Sequence, residues 1–145
     1  MKWGRNRWFL AFCALPLLVR AEWPDTAIEV HSVATWQQAL AQAEGQPVLL
    51  DLYADWCASC QNIKQRVLPA PEVQQALTPF TFIYADLTAM SEDDQALFDH
   101  FGLLGLPALM LFDRAGEEIA PLRMNREVDV ELLLKQLKLA KQHQG

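Results

Sequence analysis

Apolar and polar positions change rhythm several times along this chain, and each change marks an element. Pro47 to Ala54 is almost unbroken apolar sequence with a single acid in it. A run of that length suits a central strand covered on both faces. Phe80 to Leu87 and Ala108 to Phe112 read as two further strands, rich in aromatic, β-branched and other apolar residues. Between them the spacing becomes helical. Trp36, Leu40 and Ala43 imply a helix with Thr35 as its N-cap, Gln38 three residues on, and Gly45 as its stop. Ile63 and Val67 fall four apart in a segment from Cys57 to Leu68 that Pro69 and Pro71 end. Glu72 to Leu77 adds a helical turn or two.

Ser91 and Asp94 open the next helix, whose apolar side is Leu97, Phe98 and Phe101 and whose stop is Gly102. Val130, Leu133, Leu134 and Leu137 share one face of a last helix, predicted over Glu127 to Gln142. Its acids stand at the start and its lysines at the end, the order the helix dipole favours. A lead-in at residues 22–34, with Ile28 to Val33 as an edge strand, precedes the first helix. Asp113 to Gly116 is a turn, after which Glu117 to Leu122 is expected to return as a hairpin partner. Strand–helix–strand units imply parallel pairing, and the late hairpin implies an antiparallel edge. The expected fold class is α/β: a mixed central sheet with helices on both faces and an antiparallel C-terminal hairpin, in one domain over residues 35–145.

The first 21 residues break this pattern. Lys2, Arg5 and Arg7 precede an apolar run from Trp8 to Val19, and Val19-Arg20-Ala21 ends on a small residue. That is the layout of a secretory signal peptide, so residues 1–21 are expected to be removed on export. The apolar run falls short of the roughly 20 residues of a spanning helix; an uncleaved membrane anchor is the alternative. Phe12 is too large for the position before a lipidated cysteine, which sets aside a lipoprotein reading of Cys13. Cleavage takes four of the 12 basic residues and none of the 18 acidic ones, leaving eight against 18 and a net charge near −10. Such a surface repels nucleic acid and anionic lipid. Solubility accounts for it, with a specific basic partner as the alternative.

Of three cysteines, only Cys57 and Cys60 then stay. A bridge closing so short a loop stabilises weakly, so a lone pair of this kind in an exported domain reads as a redox site. If a helix begins at Cys57, its free N–H groups favour a thiolate there. Cys57 is therefore expected to attack, and Cys60, one turn on, to resolve the mixed disulfide. Zinc is the rival; a structural site wants four ligands, and His31, His100 and His143 are scattered. No metal and no organic cofactor are expected.

Asp51 lies six residues before Cys57, inside the apolar strand. An acid there costs desolvation free energy. It is either hydrogen-bonded at a sheet end or a proton acceptor for Cys60 with a raised pKa. Asp55 is expected to be exposed beside the loop. Pro107 opens the third strand, either as an ordinary edge feature or as a cis peptide that leaves the Leu106 backbone free to pair with a substrate strand. Trp56 is a core filler or a docking residue on the rim. Ala58 and Ser59 supply no positive charge, and Asp51 and Asp55 work against a thiolate, so the couple should be reducing rather than strongly oxidising.

Asp51, Trp56-Cys57-Ala58-Ser59-Cys60 and Leu106-Pro107, in that order and spacing, resemble the thioredoxin superfamily over about residues 35–140. Asp51 through Cys57, Asp86-Leu87-Thr88 and Leu104-Gly105-Leu106-Pro107 are most similar to the C-terminal periplasmic domain of the DsbD family of transmembrane thiol–disulfide interchange proteins. The resemblance implies a three-layer thioredoxin fold and reductive exchange in the periplasm, with Asp51 tuning the cysteines and Leu106-Pro107 beside them. The expected partners are exported proteins carrying disulfides, with a membrane electron donor of the DsbD type, and the protein is expected to be a monomer. Two departures stand out. The membrane electron-carrying domain is missing from the sequence, so the domain is expected to stand alone. The position seven after the first cysteine, often acidic in that family, is Lys64, which either pairs with Asp51 or is solvated. An oxidase or isomerase using the same site, or a binding module with incidental cysteines, are the rival functions.

Overall fold

Val48–Tyr53 (β2) is buried at every position and forms the middle of the sheet. The computed structural model describes residues 23–143; the expected signal segment and Cys13 lie outside them. In chain order the elements are β1 (Ile28–Glu29), α1 (Val33–Gln42), β2, α2 (Ala58–Asn62), α3 (Pro71–Leu77), β3 (Thr81–Asp86), α4 (Glu92–Phe101), β4 (Ala108–Phe112) and α5 (Val130–Gln142). The sheet order is β1-β3-β2-β4. β3 runs parallel to both β1 and β2, and β4 is antiparallel to β2, with Asp51 opposite Tyr84 on one side and Leu109 on the other.

Side chains alternate across β2. Leu50 and Leu52 face α1 and α4, where Trp36, Ala39, Leu97 and Phe101 close one core. Leu49 faces the other layer, with Ile63 and Val67 after α2, Val73 of α3 and Leu133 of α5. Helices thus cover both faces, the expected three-layer α/β/α arrangement. Among the described residues no helix is long and apolar enough to cross a membrane.

Four local expectations are corrected. The N-cap of α1 is Ser32 rather than Thr35. Ser32 Oγ accepts the Thr35 N–H, and Thr35 Oγ1 accepts the Ser32 N–H, so the threonine fills the reciprocal position of a capping box. The edge strand shrinks to Ile28–Glu29 because α1 starts at Val33. The segment 117–122 is no strand. It makes a single bridge, Glu118 to Phe112, and a second, Met124 to Leu109, follows after a 3₁₀ turn at Ala120–Leu122. Pro121 in that turn has no N–H to give a ladder. The antiparallel edge of the sheet is therefore β4 alone. Finally, α5 begins at Val130, where the Asp129 carboxylate accepts the Leu132 N–H at 2.8 Å. The acids at 127 and 129 precede the helix, and Asp129 caps it.

Candidate active site

The sheet end that carries the sulfurs is built by one change of chain direction. β2 stops at Tyr53, and after a turn of three residues Cys57 stands at the N-cap of α2 with extended backbone. The Cys60 N–H donates to Cys57 Sγ at 3.2 Å, so an unsatisfied helix N–H is aimed at the first sulfur. Cys57 and Cys60 are joined as a disulfide, with their Cα atoms 5.2 Å apart. Both are buried, Cys60 more fully, at 1% exposure against 7% for Cys57. The shallower sulfur is the one an incoming group meets first. After Asn62 the helix widens into a π-helical stretch, Ile63–Val67, before α3. The sequence spacing predicted a helix here and did not distinguish the wider turn.

Asp51 shares the Leu49 and Tyr53 face of β2, beneath α2. Its carboxyl is 1% exposed, and Oδ1 has no hydrogen-bond partner. Burial pushes its pKa from 3.8 up to about 7, with Lys64 pulling the other way. Oδ1 therefore does not fit the reading of Asp51 as an acid hydrogen-bonded at a sheet end. Lys64 pulls the Asp51 pKa down, as one of its two expected roles had it, but through no direct ion pair among the described residues. Its ammonium lies 4.7 Å from the centroids of both the Trp23 and Tyr53 rings, half-buried, rather than in solvent or in an ion pair.

The outer rim is apolar. Trp56 is 57% exposed, which removes the core-filler reading, and its Nε1–H donates to the Thr88 carbonyl at 3.2 Å. Leu104, fully exposed, stands on the loop that leads into Leu106 and Pro107. The Leu106–Pro107 peptide is cis, and Leu106 packs against the cluster of Tyr53, Ala54, Cys57 and Cys60. Asp55 is exposed as expected, and its carboxylate accepts the Tyr53 hydroxyl. The Gln61 amide donates to the Tyr53 Oη at 2.8 Å. The structure thus brings Cys57, Cys60, Asp51, Trp56, Leu106 and Pro107 to one end of the sheet.

Two neighbours were given no role at the site by the sequence reading. Thr88 Oγ1 accepts the Asp55 N–H at 2.8 Å and donates to Asp86, tying the loop before Cys57 to the end of β3. The Asp86-Leu87-Thr88 spacing is an Asx-turn signal that could have revealed it. Trp23 packs edge-on to Tyr53 and stacks on Tyr84 at 4.4 Å. Nothing periodic connects it to a strand 25 or more residues away.

Comparison with known proteins agrees with this geometry. A region of the thiol:disulfide interchange protein DsbD of Klebsiella pneumoniae is 45% identical over 100 residues, covering 69% of this chain. The chain spans 17% of that relative's length. The oxidised C-terminal domain of Neisseria meningitidis DsbD superposes with a TM-score of 0.62 at 30% identity, over 74% of this chain and 90% of that one. A mutant thioredoxin of Halobacterium salinarum superposes with a TM-score of 0.62 at 25% identity, over 81% and 93%. Residues 32–114 match the thioredoxin-like family. With a Cys-x-x-Cys pair in this fold and these relatives the protein is a thiol–disulfide oxidoreductase, and the chain belongs to the thioredoxin-like family.

Proposed function

We propose that the protein is a periplasmic disulfide reductase for exported proteins, with Cys57 as nucleophile, Cys60 as resolving thiol and Asp51 as proton acceptor. The observation that carries this reading is a disulfide at the start of α2 above a fully buried Asp51 whose Oδ1 has no hydrogen-bond partner. In the reduced protein, the Cys57 thiolate attacks a client disulfide. One client sulfur leaves as thiolate and a Cys57–client disulfide forms. Cys60 then gives its proton to Asp51 and attacks Cys57 Sγ. The Cys57–client bond breaks, the Cys57–Cys60 bond forms, and the second client sulfur leaves with its electron pair. The client gains two electrons and the protein loses two. Cys60 is too buried to lose its proton readily to bulk water, which is why a buried acceptor is needed.

Direction follows from charge. Neither Ala58 nor Ser59 is cationic, and Ser59 Oγ faces the Glu127 carboxylate at 3.4 Å. A poorly stabilised thiolate makes a reducing couple. Trp56, Leu106 and Pro107 supply the docking edge, where a client strand pairs with the Leu106 backbone. A membrane electron donor of the DsbD type would restore the dithiol. The DsbD likeness supports that source and the periplasmic setting.

Cys60→Ala tests the reading in cells. The variant should accumulate disulfide-linked clients on Cys57, absent from the Cys57→Ala, Cys60→Ala double variant. Absence of any trapped adduct would overturn it. Equilibration with glutathione sharpens the direction: the couple should lie nearer reducing thioredoxins, at about −270 mV, than strong disulfide oxidants, at about −120 mV. A value close to the latter would make the protein an oxidase.

A further inference from the structure

Among the described residues Lys64 is the charged group that pulls the Asp51 pKa down, yet it is held by aromatic carbon rather than by oxygen. Lys64 lies in the π-helical stretch, and two aromatic rings flank its ammonium at equal distance. One ring, Tyr53, comes from β2 itself, two residues beyond Asp51 and on the same face. The other, Trp23, comes from the lead-in, outside the 32–114 segment that matches the family. Both rings are fixed. Tyr53 is oriented by hydrogen bonds to Asp55 and Gln61. Trp23 is stacked on Tyr84 and tilted against Phe82. A half-buried ammonium over two ring faces is held in place while its positive charge stays unneutralised. A direct salt bridge would instead tie up the carboxylate that has to receive a proton.

We propose that Trp23 and Tyr53 clamp the Lys64 ammonium over the buried end of β2, and that Trp23 and Lys64 are positioning residues for proton transfer between Cys60 and Asp51. The inference rests on Asp51 being the acceptor. The elements packed on this face contribute few other titratable groups. α2 brings Cys57 and Cys60, and the strands bring Tyr53 and Tyr84. The residues buried from α3 and α5 are apolar. Asp55, Asp86 and Glu29 act on the two tyrosines rather than on Asp51. Removing the ammonium therefore leaves desolvation unopposed, and the carboxylate form needs a higher pH.

The test uses the reduced protein and an excess of 2,2′-dipyridyl disulfide. The first thiopyridone released reports attack by Cys57; the second reports resolution by Cys60. In the wild type the rate of the second release should rise with pH through a limb near 7. In Lys64→Met that limb should move up by about one pH unit, making resolution about tenfold slower at pH 6 and unchanged at pH 9. Lys64→Arg should restore the wild-type profile, because a guanidinium also sits on aromatic faces. Trp23→Leu should shift the limb the same way by less, about threefold at pH 6, and add nothing to Lys64→Met. A Lys64→Met profile that superimposes on the wild type, or full additivity of the two changes, would overturn the clamp. Asp51→Asn separates this from the underlying reading. If the limb survives in that variant, Asp51 is not the acceptor; if it vanishes there while Lys64→Met leaves it in place, only the clamp fails. Should Trp23→Leu not fold, the Lys64→Met and Lys64→Arg profiles decide alone.

Discussion

Asp51 and Asp113 are both buried aspartates, one within β2 and one just past the end of β4, its antiparallel neighbour, and they are treated in opposite ways. At Asp113, 4% exposed, one carboxylate oxygen accepts the backbone N–H groups of Ala115 and Glu117 at 2.8 and 3.0 Å. The acid holds a turn together, and the turn repays its desolvation. At Asp51 the corresponding oxygen is left bare. A satisfied buried carboxylate is structure; an unsatisfied one is a standing cost, retained where chemistry needs a movable proton. The two ends of the sheet thus differ in purpose, and the difference is visible in hydrogen bonds before any reaction is considered.

The largest expected effect lies in how stability responds to pH. Asp51 has its folded-state pKa raised from 3.8 to about 7. Between those values the native state holds a proton that the unfolded chain has lost. Asp51 therefore leaves stability untouched below about 4, erodes it as pH rises toward 7, and above 7 has removed its full share. For a fully buried group that share is on the order of 4 kcal/mol, an upper bound. Asp51→Asn should thus unfold at clearly higher urea than the wild type at pH 8, by up to that amount, and at about the same urea at pH 4. Both should be measured in the oxidised form. The same substitution should slow resolution by Cys60. A variant no more stable at pH 8 than at pH 4, relative to wild type, would put Asp51 in the same class as Asp113.

Asp113→Ala supplies the reverse case. It strands two backbone N–H groups in a turn, a loss of about 2 kcal/mol, and should leave exchange kinetics within twofold of wild type. Urea denaturation and thiopyridone release on the same preparation check both halves. Slower exchange without lost stability would erase the division between the two ends.

The sequence carried much of this contrast. Asp51 stood out because an acid interrupts an otherwise apolar strand; Asp113 was legible as a turn residue because Arg114, Ala115 and Gly116 follow it. The three strong strands, four of the helices and the placing of Cys57 at a helix mouth all come from periodicity and local chemistry. What periodicity could not give was tertiary. Whether Asp51 finds a hydrogen-bond partner depends on atoms from other elements. Lys64 was marked as a departure, but its seat between Trp23 and Tyr53 joins a lead-in residue to a strand and a π-turn. The return expected at 117–122 from the turn before it reaches β4 only as a single bridge at Glu118, because Pro121 lies in a 3₁₀ bend and has no N–H for a ladder.

The smallest effect concerns loops rather than acids. Both ends of the sheet use a side-chain oxygen to hold backbone, but at the sulfur end that oxygen is Thr88 Oγ1, accepting from the exposed Asp55. Water can replace much of an exposed hydrogen bond, so Thr88→Val should cost only about 0.5–1 kcal/mol, less than Asp113→Ala. Its consequence should instead be positional. The Asp55 N–H loses its anchor, and Trp56, next in the chain, keeps only its indole bond to the residue 88 carbonyl. If Trp56 docks clients, a protein client should show KM raised a few-fold with kcat retained, while the small probe dipyridyl disulfide, which needs no docking rim, reacts as before. Thr88→Ser, which keeps the hydroxyl, should behave as wild type. Equal slowing of client and probe would instead mean that Thr88 supports the sulfurs themselves, and the rim would lose its separate role.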